Sequence, residues 1–148
     1  LERRPRPHTI VLMVQREVAE RITADPGGKS YGALAVGVQS VADVERVLNV
    51  GRQAFRPVPD VESAVVRITP HQPPRLQPAD EVALRELTRH AFGRRRKQFQ
   101  RILRDVYGLG PEAVAALEER TGMDLRQRPE TFSPESFIML ARELGGTR

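Results

Sequence analysis

The sequence predicts a mixed chain, an α/β half followed by an all-α half. Three observations lead there. An apolar, β-branched run stands near the start, alternating segments follow it, and beyond a proline-rich stretch the apolar period switches to that of helices. At 148 residues and 16.6 kDa the chain is long enough for a sizeable core. Its 39% apolar and 29% charged residues are the balance of a globular protein rather than a disordered one.

Residues 8–15 (HTIVLMVQ) follow Pro5 and Pro7 and read as a buried strand of an α/β sheet. Residues 16–24 (REVAERITA) have helical character and stop at Asp25-Pro26-Gly27-Gly28. Residues 31–42 read two ways: Leu34, Val36 and Val38 alternate as in a strand, while the Ala and Gly content suits a tightly packed helix. Residues 44–50 read as a strand. Phe55-Arg56-Pro57-Val58-Pro59 then forms a stiff, extended loop, because each proline fixes φ and biases its predecessor away from α. Residues 61–68 (VESAVVRI) alternate as a second strand, and the short connection between the two predicts an antiparallel pair.

A boundary follows. Residues 71–78 are proline-rich and apolar-poor, which reads as a linker between a part spanning 1–70 and a part spanning 79–148. Beyond it Leu84, Leu87 and Ala91 recur at helical spacing, and so do Phe99, Ile102, Leu103 and Val106, which places one helix over 94–106. Gly110-Pro111 opens another through Val114 and Leu117, ended by Gly122. Ser133-Pro134 supplies an N-cap with proline at the first helical position, and Gly145-Gly146 closes that last helix. The second part is therefore expected to be a small helical bundle. The first has too few strands to complete a sheet and reads as the tail end of a larger α/β domain. Leu1 in place of Met also leads us to expect a fragment or a processed product.

Composition excludes several chemistries. With no cysteine there is no disulfide framework, thiol nucleophile or cysteine-based zinc site. His8, His71 and His90 lack the spacing of a metal cluster, so no metal is expected. The run 10–14 is five residues, and no apolar run is longer, far short of the ~18 residues that span a bilayer. No secretory signal is visible, so the expectation is a cytoplasmic protein without a membrane partner.

The basic balance points to a partner. Lys and Arg number 24 against 19 acids, for a net charge of +5, and all but Lys29 and Lys97 are arginines. Arginine is planar, permanently charged and suited to bidentate phosphate contacts. The excess is also local. Between Arg85 and Arg104 stand Arg85, Arg89, Arg94, Arg95, Arg96, Lys97, Arg101 and Arg104 against Glu86 alone, so that window carries +7 and the rest of the chain −2. A phosphate polymer is the natural partner of such a patch. On a helix over 94–106, Arg94, Lys97, Arg101 and Arg104 share one sector opposite Phe99, Ile102, Leu103 and Val106, and Arg95 and Arg96 flank the apolar side. A charge run is most often a solvated face; the lack of interspersed acids favours a phosphate-tracking stripe.

Two further segments could carry chemistry. Gly108-Leu109-Gly110 between two helices resembles a helix-hairpin-helix, whose turn offers backbone N–H groups to phosphate, although Val114 replaces the usual alanine and glycine-rich turns between helices are common. Phe55 stands in the proline-rich loop of a chain with only 5% aromatics. It either packs the loop onto the sheet or offers a face on which a nucleobase stacks.

In order along the chain come MVQREVAER (13–21), YGALAVGVQ (31–39), AFRPVPDVESAVVRITP (54–70), FGRRRK (92–97) and RPETFSPESF (128–137). Their order and spacing resemble the C-terminal portion of the ribosomal RNA adenine dimethyltransferases of the KsgA type, which typically read MxQKEVAxR, YGxLSV, FxPxPxVxSAVVRL, FxxRRKxL and RAExLSxxxF. The related macrolide-resistance methyltransferases share the FxPxP region, but YGALAV and the RRK segment favour the small-subunit branch.

The resemblance implies the last strands and helices of a class I methyltransferase sheet followed by a small helical RNA-binding domain. It implies a helix in the Tyr31 region, and makes the two later strands the sheet's terminal antiparallel pair. It also implies transfer of methyl groups from S-adenosylmethionine to N6 of two adjacent adenines in small-subunit ribosomal RNA. The family's glycine-rich cofactor loop and its Asn-(Leu/Ile)-Pro-Tyr motif precede the MVQ strand and are not in residues 1–8. The chain alone is therefore expected to hold no catalytic residue and no cofactor. Of the family's target-base contacts only the FxPxP aromatic carries over, onto Phe55. Arg95, Arg96 and Lys97 match RRK, whereas Gln100 and Arg101 depart from the usual Arg-Asn. The implied partner is small-subunit rRNA or the pre-ribosomal small subunit, met by a monomer. The rival reading is a non-enzymatic nucleic-acid-binding module, either a helix-hairpin-helix protein or a ribosome-assembly factor.

Overall fold

The computed structural model describes residues 5, 7–94 and 96–145. Its elements are β1 (Ile10–Gln15), α1 (Arg16–Ile22), α2 (Ala33–Gln39), β2 (Ala42–Val50), β3 (Ser63–Pro70), α3 (Pro78–Gly93), α4 (Phe99–Tyr107), α5 (Pro111–Thr121) and α6 (Pro134–Gly145), with 3₁₀ turns at Arg52–Ala54 and Pro129–Thr131. The strands form one sheet in the order β1-β3-β2, with β3 antiparallel to both neighbours. The expected antiparallel pair is β2–β3, which carries a register shift between Arg46 and Leu48.

The ambiguous segment is a helix, as the resemblance implied. Ala35 and Val36 are fully buried on one face of α2, with Tyr31 just before it. Helical packing of that face overrides the alternation of Leu34, Val36 and Val38.

The opening strand corrects an expectation. It was expected to be buried, but Val11 is 61% exposed, Met13 55% and Leu12 43%. Among the described residues β1 is an edge strand whose one partner is β3. One sheet face is closed: Ala64 and Val66 of β3 are fully buried with Ala19 of α1, and Val14 packs on them. On the other face Met13 lies opposite Val65, which is itself paired with Leu48, another exposed residue. That apolar face is open.

The larger core runs through both parts of the sequence. Tyr31 and Val36 belong to the same buried cluster as Leu87, Phe99, Leu103, Leu117, Phe137 and Leu140. Phe92 stacks on Phe137 with ring centroids 5.5 Å apart, and Phe99 meets Phe132 edge-on at 5.4 Å. Two long-range bonds join the parts: the Tyr31 hydroxyl donates to the Phe132 carbonyl at 2.8 Å, and the Gly27 N–H to the Glu130 carbonyl at 2.7 Å. The proline-rich connection is also fastened. Leu76 is buried, the His71 N–H donates to the Val41 carbonyl, and Arg142 donates to the Arg75 carbonyl at 2.6 Å. At its end α6 is capped as expected, the Ser133 hydroxyl accepting from the Ser136 N–H. Gly145 is its last residue; Gly146 lies outside the described residues.

Candidate nucleic-acid interface

The basic segment is not one helix over 94–106. α3 ends at Gly93 with Arg94 as its C-cap, a connection follows, and α4 begins at Phe99 after an extended Gln98. The cause is tertiary. A helix starts with N–H groups that lack internal partners. Here the Phe99 and Gln100 N–H groups donate to the carbonyls of Gln127 and Leu125 at 2.9 and 2.7 Å. Phe99 is fully buried, which anchors that point. Arg94 and Lys97 therefore sit in a turn and do not extend a helical stripe, while Arg101 and Arg104 project from α4 as exposed residues. Arg95 lies outside the described residues.

The expectation of no interspersed acid also fails, by one residue. Asp105 on α4 accepts from Arg94 Nη1 at 3.2 Å and from Lys97 Nζ at 3.0 Å, both on Oδ2. The Lys97 hydrogen bond, with the nearby charges of Lys97, Arg94 and Arg101, holds the Asp105 carboxyl below the usual carboxylate range. Sequence reading passed over Asp105, although its place four residues after Arg101 on a helix was a signal. Arg96, Arg101 and Arg104 are exposed and have no hydrogen-bonded carboxylate among the described residues. The turn and α4 thus form a cationic surface with one carboxylate set into it.

Phe55 follows the 3₁₀ turn after β2 and is half-buried. It belongs to neither buried cluster and makes no ring contact among the described residues. Its backbone is held by a bond from its N–H to the Arg52 carbonyl, and Arg56 donates back to the Phe55 carbonyl at 3.0 Å. Arg52 and Arg56 are both exposed, so two cations flank the ring along the chain. Neither was singled out from sequence, where the prolines drew attention instead.

Gly108 and Gly110 join α4 to α5, so the glycine-rich turn lies between two helices where the helix-hairpin-helix resemblance expects it, with Gly108 at φ +68°, a left-handed conformation that favours glycine. Among the described residues no group of three His, Asp or Glu side chains is placed to hold a metal, and no helix is long and apolar enough to cross a membrane. A groove between α2 and α3, lined by Leu34, Val38, Leu84 and Arg89, includes none of the expected site residues.

A family model described as ribosomal RNA adenine dimethylase matches residues 1–144. The chain is 45% identical over 132 residues to the ribosomal RNA small subunit methyltransferase A of Maricaulis maris, covering 89% of this chain and 45% of that protein. It is 40% identical over 134 residues to the same-named protein of Levilactobacillus brevis, covering 88% of this chain and 45% of the relative. The chain thus spans about half the length of the curated relatives it matches. Among solved structures, a dimethyladenosine transferase from Plasmodium falciparum superimposes with a TM-score of 0.80 at 26% identity, over 95% of this chain and 58% of that one. The 23S rRNA methyltransferase ErmE shares the fold, with a TM-score of 0.67 at 24% identity over 97% of this chain and 57% of its own.

Proposed function

Because this chain belongs to the ribosomal RNA adenine dimethylase family, we propose that it serves in dimethylation of N6 on two adjacent adenines of small-subunit rRNA, as part of a cytoplasmic, S-adenosylmethionine-dependent enzyme of ribosome biogenesis. The observation that carries this reading is identity of 40–45% over more than 130 residues to small-subunit methyltransferases. In α/β sheets ligands lie beyond the carboxyl ends of parallel strands at a switch in strand order. Here every neighbouring pair is antiparallel. We assign the methyl donor to the half of the family's fold that this chain does not span.

What these residues do is hold the RNA. An adenine inside a stack is out of reach, so it must be extruded, and extrusion forfeits its neighbours. The Phe55 ring, half-buried, without a ring contact among the described residues and held at its backbone, offers a replacement face. The basic turn and α4 contact phosphates, which fixes position while reading little sequence. The helical part acts as the RNA-binding domain. Filter-binding titration with a fragment of the 3′ end of small-subunit rRNA should show affinity falling steeply with salt, about 0.7–0.9 in log–log slope per phosphate contacted. Binding without salt dependence would refute the role of the cationic surface.

The antiparallel-only sheet also favours a second reading, a non-enzymatic RNA-binding module in ribosome assembly. The upstream reading frame separates the two: a glycine-rich loop and an Asn-x-Pro-Tyr motif there support the enzyme, and their absence supports the module.

A further inference from the structure

We propose that Asp105 is a positioning residue for RNA contact: it clamps Arg94 and Lys97 in one arrangement, lowering affinity for RNA at large while sharpening the preference for folded ribosomal RNA. The proposal rests on the RNA-binding reading above.

One carboxylate oxygen gathers cations from the end of α3 and from the turn, at 3.2 and 3.0 Å, onto the second turn of α4. The backbone of that turn does not need the clamp. The Lys97 N–H donates to the Arg94 carbonyl at 2.9 Å, and Phe99 and Gln100 are tied to Gln127 and Leu125. Asp105 therefore orders side chains rather than the chain path. Exposed ion pairs add little to stability, and these three side chains are 36–42% exposed.

Two consequences oppose each other when RNA approaches. The carboxylate repels phosphate and so weakens binding to any RNA. It also holds two long, flexible side chains in place, which reduces the conformational freedom lost on binding when the phosphates already match that spacing. A folded RNA with fixed phosphate positions gains from this. A loose strand, which adapts to wherever the cations lie, gains nothing and meets only the repulsion. An unfavourable element set against the wrong partner is a common way to obtain specificity.

The test uses the 148-residue chain and two probes of equal length, the folded 3′-end rRNA fragment and poly(U), titrated across a salt series. Asp105→Asn should bind poly(U) several-fold more tightly, with a log–log salt slope steeper by up to about 0.7, the increment of one added single-strand contact. The ratio of fragment to poly(U) affinity should fall several-fold, and Asp105→Glu, which keeps the carboxylate, should restore it. An unchanged ratio in Asp105→Asn overturns the proposal whatever the absolute affinities do. A Lys97→Glu/Arg101→Glu variant separates the two levels. If it binds both probes like the parent, the RNA reading fails; if it binds weakly while the Asp105→Asn ratio holds, only the clamp fails.

Discussion

Phe55 and Tyr31 are two aromatics of the same chain with opposite surroundings, and their substitutions should behave oppositely. Phe55 is half-buried and outside both core clusters. In an enzyme that also carries the cofactor-binding half, Phe55→Ala should lower the methylation rate about tenfold or more, since ~1.4 kcal/mol is one decade. Its melting curve should stay close to the parent, and Phe55→Tyr should be tolerated. Wild-type activity in Phe55→Ala would refute the stacking role, and early melting would return the ring to the core. Tyr31 is 1% exposed and reaches across 101 residues to the Phe132 carbonyl. Burial pushes its hydroxyl well above the usual phenol range, so it donates as the neutral form. Tyr31→Phe deletes that bond and leaves a buried carbonyl unmet, at a cost of about 1–3 kcal/mol. Chemical denaturation should register this as a lower midpoint with an unchanged slope.

At the scale of elements, the salt dependence of RNA binding should localise to α4 and the turn before it. Lys97→Glu with Arg101→Glu reverses two charges beside Asp105, and should both weaken rRNA binding and flatten the slope of log affinity against log salt. An unaltered slope would mark the surface as merely solvated. Gly108→Ala tests the joint between α4 and α5. At φ +68° a Cβ meets no neighbouring atom, so the penalty is backbone strain alone. That is roughly 1–2 kcal/mol, and a thermal melt should show it. The same elements show what sequence could convey. The ends of α5 were legible because Gly110-Pro111 and Gly122 act locally, the latter again left-handed. The start of α4 was not legible, because the groups that set it, the carbonyls of Leu125 and Gln127, come from far along the chain. Periodicity gave the apolar face of Phe99, Ile102 and Leu103 correctly, all three being fully buried. It could not reveal that the helix begins at the first of them, nor that Arg94 and Lys97 turn back onto Asp105. Phe55 was legible as a candidate from its loop and the family motif, but that it meets no other ring among the described residues depends on packing between distant segments.

For the whole molecule, the most telling feature is the contrast between a closed core and an open sheet. The run 10–14 looked like a strand covered on both sides, and its composition is that of one. Among the described residues nothing covers its outer edge or one face, and Val11, Met13 and Leu48 are each about half exposed or more. Two outcomes should follow for this chain on its own. First, S-adenosylmethionine should give no saturable heat in a calorimetric titration at micromolar to submillimolar concentration, because among the described residues no pair of adjacent parallel strands offers the crevice where α/β folds bind such ligands. Second, amide exchange should be fast in β1, whose outer N–H groups have no strand beside them, and slow in α3, α4 and α6, whose Leu87, Phe99 and Phe137 lie at the centre of the larger core. The two measurements interlock. Micromolar cofactor binding would contradict the assignment of the donor to the other half of the family fold. Protection in β1 as strong as in α3 would mean that a second copy of the chain covers that edge, which sedimentation at the same concentration would reveal as a dimer. A monomer with a rapidly exchanging β1 and no cofactor heat is the expected result.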